Sequence, residues 1–285
     1  MKMSISQYAG FCDGVKRAYE MVRDIDMEQV SRPVFILGSL VHNQDVAKKV
    51  EEKGIVKISW EEFQKSKPGE VGTLIITAHG FGPKVYALAQ EKGVRIIDAT
   101  CPKVIKVQRL AKIYHERGYE IVLIGDKEHK EVVSIFEWGG EKAQIVSSEK
   151  DWEGLKIDSG SKMAVLSQTT QDLDFFRRTV DFIQSQKKDV RIIDTICLAT
   201  HNRQEEIRKL AASHDCVVVV GSPDSANSNR LYKLAKKENE KVFFVENSQQ
   251  LSREWFLGAE NIALTAGASV PGWIIDEILV WFSKI

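Results

Sequence analysis

No apolar run in the 285 residues approaches the roughly 20 residues a membrane helix needs. The opening MKMSISQYAGFCDG lacks the apolar core of a signal peptide, so the expected compartment is the cytoplasm. There is no excess of one charge: 40 basic residues balance 40 acidic ones. A nucleic-acid footprint needs a basic excess or a basic face, so neither nucleic acid nor a membrane is an expected partner. The nucleotide signatures G-x-x-x-x-G-K-[ST] and G-x-G-x-x-G are missing. Cysteine is scarce: Cys12, Cys101, Cys197 and Cys216, with no C-x-x-C pair. That removes the usual zinc-finger and thioredoxin spacings. Disulfides are not expected in a cytoplasmic chain of this size.

What is present is an ordinary globular composition with a long-range repeat. VRIIDATCPKV at 94–104 returns as VRIIDTICLAT at 190–200. Each cysteine is followed by a helical stretch, then by an apolar run ending in glycine: YEIVLIGD and DCVVVVGS. A polar cluster follows, then a strand with acidic turn residues, then a strand running into small hydroxylated residues. The first ninety residues obey the same plan, with Cys12 before a helix, VFILGSLVHN, VKISWEEF and TLIITAHGFGP. From Cys12, Cys101 and Cys197, the positions His42, His129 and Ser225 lie 30, 28 and 28 residues on. His79, Thr169 and Ser269 lie 67, 68 and 72 residues on. Strands alternating with helices are the βαβ pattern of parallel sheets. The expectation is three α/β lobes with mostly parallel sheets, related by a pseudo-threefold axis in a trefoil-like arrangement around a central cavity. The lobes would span 13–98, 99–194, and 195–285 together with 1–12.

In open α/β sheets ligands sit beyond the carboxyl ends of the strands, where the polar clusters of this chain fall. Three thiols converging there, each before a helix, with basic residues such as Lys16, Arg17, Lys103 and Lys106 nearby, would favour thiolate. Thiolates are soft ligands suited to iron–sulfur or zinc. Three cysteines on a cubane cluster leave one iron open to a substrate oxygen. The closing strands place small or hydroxyl residues at helix N-termini, which bind anions. With His42, His79, Ser225, Asn227 and Ser269 they predict a pocket for a phosphorylated ligand. Glu131, in HKEV, is the candidate proton donor. The plainer alternatives are capping or core histidines, an N-cap cluster in SANSN, and a solvated charge at Glu131. Cys216 reads as a small buried hydrophobe. WIIDEILVWF near the C-terminus reads as a core helix.

The stretches GFCDGVKRA, LVHN, AHG, DATCP, HKEV, SQTT, DTICLAT, GSPDSANSNRL and TAGAS resemble, in order, those of the 4-hydroxy-3-methylbut-2-enyl diphosphate reductase (IspH/LytB) family. The resemblance covers residues 10 to about 271. It implies the last step of the non-mevalonate isoprenoid pathway. An allylic alcohol diphosphate would lose its hydroxyl as water, with two electrons and protons, to give isopentenyl and dimethylallyl diphosphate. It implies a 4Fe-4S cluster on Cys12, Cys101 and Cys197, with one iron open to the substrate hydroxyl. It further implies Glu131 as proton source, aided by His129 and the Thr169 hydroxyl. The diphosphate would sit on His42, His79, Ser225, Asn227 and Ser269. Electrons would come from a ferredoxin or flavodoxin.

This chain departs from the family pattern at Asp126, at Ala226 and in SIFEWG, 134–139. Ala226 offers no hydroxyl to a phosphate oxygen, a loss of about 1.5–3 kcal/mol if the contact is to a charged group. Two other readings stay open: a hydratase or dehydratase of another phosphorylated substrate using the open iron, and an iron–sulfur sensor without turnover. Lys103, Lys106, Arg109 and Lys112 read as a solvated helix face or as a docking face for an acidic electron donor.

Overall fold

The computed structural model describes residues 2–284. The elements run β1 (Lys2–Ile5), α1 (Asp13–Arg23), β2 (Val34–Leu37), α2 (Gln44–Glu52), β3 (Val56–Ile58), α3 (Trp60–Lys65), β4 (Thr73–Ile76), α4 (Pro83–Glu91), β5 (Arg95–Asp98) and α5 (Pro102–Glu116). They continue with β6 (Tyr119–Ile124), α6 (Lys130–Trp138), β7 (Gln144–Val146), β8 (Lys162–Ser167), α7 (Leu173–Gln186), β9 (Val190–Ile192) and α8 (Leu198–Ser213). The last are β10 (Cys216–Val220), α9 (Ala226–Glu238), β11 (Val242–Val245), β12 (Asn261–Ala266) and α10 (Gly272–Phe282). No helix among the described residues is long and apolar enough to cross a membrane.

The strands form three four-stranded sheets, ordered β3-β2-β4-β5, β7-β6-β8-β9 and β11-β10-β12-β1. Their pairings are parallel. The same topology is thus built three times, as the sequence repeat predicts. In the third sheet the fourth place is taken by β1, whose Lys2 pairs with Asn261 of β12. In each sheet the strand order reverses between the first and third strands, which lie side by side. Loops leaving those two neighbouring strands therefore diverge to opposite faces and open a crevice.

The chain divides into two compact units. One takes in the residues up to Lys16, His42–Val46 and those from Leu198 on; the other takes in Arg17–Val41 and Ala47–Cys197. In the first, strand β10 reads CVVVV and is buried on both faces. Its side chains alternate with period two. Val218 and Val220 pack with Ile274, Ile278 and Phe282 of α10. Val217 and Val219 pack with Ile207, Ala211, Leu231 and Leu234 of α8 and α9. A parallel sheet covered on both faces requires such a continuous apolar run. Each fully buried valine contributes about 1.5–3 kcal/mol against exposure. The helical spacing of Ile274, Ile278 and Phe282 matches the core helix expected from WIIDEILVWF. In the second unit β4, TLII, is buried throughout and packs on Phe63, Val85 and Ala89. Strands β6 and β8 do the same for Val132, Ile135, Phe176 and Ile183.

Candidate active site

Each of the three cysteines follows the fourth strand of its sheet and immediately precedes a helix: α1, α5 or α8. Each is also anchored in the same way. The Cys12 N–H donates to Ala268 O at 3.3 Å, Cys101 N–H to Ala78 O at 3.0 Å, and Cys197 N–H to Thr169 O at 2.9 Å. Each acceptor lies two residues past the end of the third strand: β12, β4 or β8. The cysteine is thereby tied to the loop that carries the closing-strand residues of its own lobe. All three are half-buried. Cysteine thiolates are the ligand type that iron–sulfur clusters take. Cys216 differs: it is fully buried in β10, and burial, then Asp215, pushes its thiol up to about 11.

The second unit gathers Cys101, His79, His129, Glu131, Thr169 and Cys197. His129 caps α6, and its Nδ1 accepts the Glu131 N–H at 3.2 Å. A neutral imidazole that accepts at Nδ1 carries its proton at Nε2. Glu131 is 2% exposed, so the solvated-charge alternative fails. Its Oε1 accepts the Thr169 N–H at 2.5 Å, and its Oε2 accepts the Thr169 Oγ1–H at 2.9 Å. The His79 and His129 rings meet edge to face with centroids 5.3 Å apart. His79, His129, Glu131 and Thr169 all stand just past β4, β6 or β8, where that unit's crevices open.

The first unit gathers Cys12, His42, Ser225, Asn227 and Ser269. Ser269 Oγ donates to His42 O at 3.2 Å. Ser225 caps α9 by accepting the Ser228 N–H at 3.3 Å, so the N-cap reading of SANSN also holds. A capping hydroxyl keeps its own proton for a ligand. Asn227 is 6% exposed, and its Nδ2 has no hydrogen-bond partner among the described residues. A buried amide N–H left this way costs free energy unless an acceptor arrives. Gly267 lies against the neighbouring Ser228: a Cβ there would fall 2.0 Å from Ser228 Oγ, so only glycine fits that close approach.

A match to the LytB protein family model spans residues 3–283. This chain belongs to the LytB family. A 4-hydroxy-3-methylbut-2-enyl diphosphate reductase of Caldanaerobacter subterraneus subsp. tengcongensis is 37% identical over 279 residues, spanning 98% of this chain and 96% of that protein. The enzyme of the same name from Aquifex aeolicus is 34% identical over 278 residues, 96% of this chain and 93% of that protein. The solved structure of E-1-hydroxy-2-methyl-but-2-enyl-4-diphosphate reductase from Plasmodium falciparum superposes with a TM-score of 0.91 at 30% identity, covering 98% of this chain and 86% of that one. A second solved structure, of (E)-4-hydroxy-3-methyl-but-2-enyl diphosphate reductase, the terminal enzyme of the non-mevalonate pathway, superposes with a TM-score of 0.71 at 32% identity and full coverage of both chains. The LytB family is an iron–sulfur oxidoreductase family of isoprenoid biosynthesis.

Two features of this LytB chain, the Gln108–Ser134 contact and Ser228, escape a sequence reading. Gln108 and Ser134 are buried and bonded to each other at 3.1 Å. Gln108 sits in a basic helix, and Ser134 stands out only as part of the departure SIFEWG. Ser228, fully buried beneath Gly267, is hidden within the polar run SANSN. Lys103, Lys106, Arg109 and Lys112 are all exposed on α5, and Lys112 lies 5.8 Å from the Trp138 ring centroid.

Proposed function

We propose that this chain is a 4-hydroxy-3-methylbut-2-enyl diphosphate reductase, acting in the cytoplasm on an allylic alcohol diphosphate. Cys12, Cys101 and Cys197 hold a 4Fe-4S cluster with one iron open. The repeat units are 13–98, 99–194, and 195–285 with 1–12. The observation that carries the reading is the thrice-repeated anchor of a cysteine N–H on the carbonyl two residues past a third strand. It gives each lobe one equivalent thiol beside one equivalent polar loop.

The cluster, when bound, supplies electrons and an electron-pair-accepting iron. The protein's own residues do the rest. His42, His79, Ser225, Asn227 and Ser269 hold the diphosphate by N–H and O–H donors, which leaves the hydroxyl end of the substrate for Glu131. Glu131 carries the proton that converts the departing hydroxyl to water. Thr169 fixes its carboxyl through two hydrogen bonds, so one geometry is presented for transfer. His129 orients its Nε2–H as a further donor. The C–O bond breaks, two electrons and two protons enter, water leaves, and a new C–H bond forms at either end of the allyl unit. The electrons come from a small ferredoxin or flavodoxin, an acidic partner suited to the exposed lysines and arginine of α5.

The test is anaerobic turnover of the allylic diphosphate by reconstituted protein with an artificial reductant, alongside iron and sulfide analysis. Isopentenyl and dimethylallyl diphosphate are the expected products. Loaded protein that forms neither, or colourless iron-free protein that forms both, overturns the proposal.

A further inference from the structure

The segment SIFEWG, 134–139, forms the later turns of α6. Its serine is 2% exposed, and Gln108 of α5 is 5% exposed. The other buried residues of α5 are Val104, Val107 and Ala111, so an amide among them is costly unless it is bonded. Gln108 Nε2 donates to Ser134 Oγ at 3.1 Å. Ser134 Oγ in turn donates to Glu131 O at 2.8 Å, with His79 O 3.4 Å away. A hydroxyl has one proton, and the shorter contact takes it. Ser134 Oγ nonetheless stands between the carbonyls of the proposed proton donor and a proposed diphosphate ligand. Gln108 also supports the turn that follows His79. Gly80 has φ +74°, and a Cβ there would fall 2.4 Å from Gln108 Nε2. One turn further along α6, Trp138 Nε1 donates to Phe81 O at 2.9 Å.

We propose that Ser134 and Gln108 are a positioning pair that fixes His79 and Glu131 relative to each other; this rests on the site assignment above. Neither residue contacts substrate. The pair ties the loop after β4 to the first turn of α6, so that diphosphate binding and proton delivery share one spacing. A displacement of about 1 Å between such groups costs up to about 100-fold in rate.

The experiment compares Ser134→Ala, Gln108→Met and the double variant in the reconstituted protein. Ile135→Val, a pure packing change in the same helix, is the stability-matched control. Turnover is read as separate kcat and KM, and inorganic pyrophosphate affinity is read by calorimetry. Each single variant is expected to lower kcat about tenfold and weaken pyrophosphate about threefold. The double variant should be no worse than either single one, because both act through one contact. Ile135→Val should lower Tm and leave kcat unchanged. Wild-type kcat and pyrophosphate affinity in both single variants overturn the pair, as does full additivity in the double variant. Glu131→Gln separates the two levels. If it turns over like wild type, the site assignment falls and the pair with it. If it is inactive while Ser134→Ala and Gln108→Met are not, only the pair falls.

Discussion

Thr169 gives both of its donors to one carboxylate: its N–H reaches Glu131 Oε1 at 2.5 Å and its hydroxyl reaches Oε2 at 2.9 Å. Thr169 lies two residues past β8 and Glu131 in the first turn of α6, beyond β6, so the pairing of β6 with β8 brings the two loops side by side. Replacing Glu131 with Gln puts an NH2 group against one of those donors. Turnover should fall at least about 100-fold, within the range for removing a general acid. Substrate KM should change little. Steady-state kinetics under anaerobic conditions decide it, and retained turnover removes Glu131 from the proton path.

Thr169→Val removes the hydroxyl and keeps the shape and the backbone donor. The carboxylate then loses one of two fixed bonds and gains rotational freedom. A drop in kcat of about tenfold is expected, with Thr169→Ser recovering most of it. Equal rates for Val and Ser would show that the backbone bond alone sets the acid.

Asn227→Leu fills the same buried space without a donor. Pyrophosphate affinity should fall about tenfold, since about 1.5 kcal/mol or more goes with a hydrogen bond to a charged group. Thermal stability should hold or rise, because a buried N–H without a partner disappears. Calorimetry and a melting curve test the two halves separately. An unchanged pyrophosphate affinity would take Asn227 out of the anion cradle.

Cys101→Ser should leave the fold intact, since the anchoring bond to Ala78 O uses the backbone N–H. Iron and sulfide per chain should fall sharply after anaerobic reconstitution. A Cys101→Ser protein that binds as much iron as wild type would exclude Cys101 as a ligand.

Cys216 should resist alkylation at pH 8 in the native protein, because burial holds its thiol protonated until about pH 11. A raised thiol pKa stabilises the fold fully below the unfolded value of about 9 and loses that contribution as pH climbs towards 11. Mass spectrometry after brief iodoacetamide treatment should find Cys216 unmodified in native protein and modified in urea. Rapid native labelling would contradict its burial.

The sequence made the strands and the lobes legible because parallel strands buried on both faces are written as unbroken apolar runs, CVVVV and TLII among them. The cysteines were legible because a strand exit, a cysteine and a helix recur at nearly constant spacing. The bonds between loops were not. Thr169 meets Glu131 across 38 positions, and Gln108 meets Ser134 across 26. Neither separation follows a helical or strand period, so no local pattern announces them. Ser225 was legible as a helix cap, because a hydroxyl before a polar helical run is a common N-cap.

The placing of β1 in the third sheet sets the timing of folding during synthesis. Lys2 emerges from the ribosome long before Asn261, its partner in β12. At about 5–20 residues per second the interval is roughly 10–50 s. Through that interval the β1 segment, with Cys12 behind it, has no strand to pair with. The first sheet and the second can close as they are made, whereas the lobe that anchors Cys12 must wait for β12. A slowing of synthesis before β12 would therefore act chiefly on the yield of that one lobe.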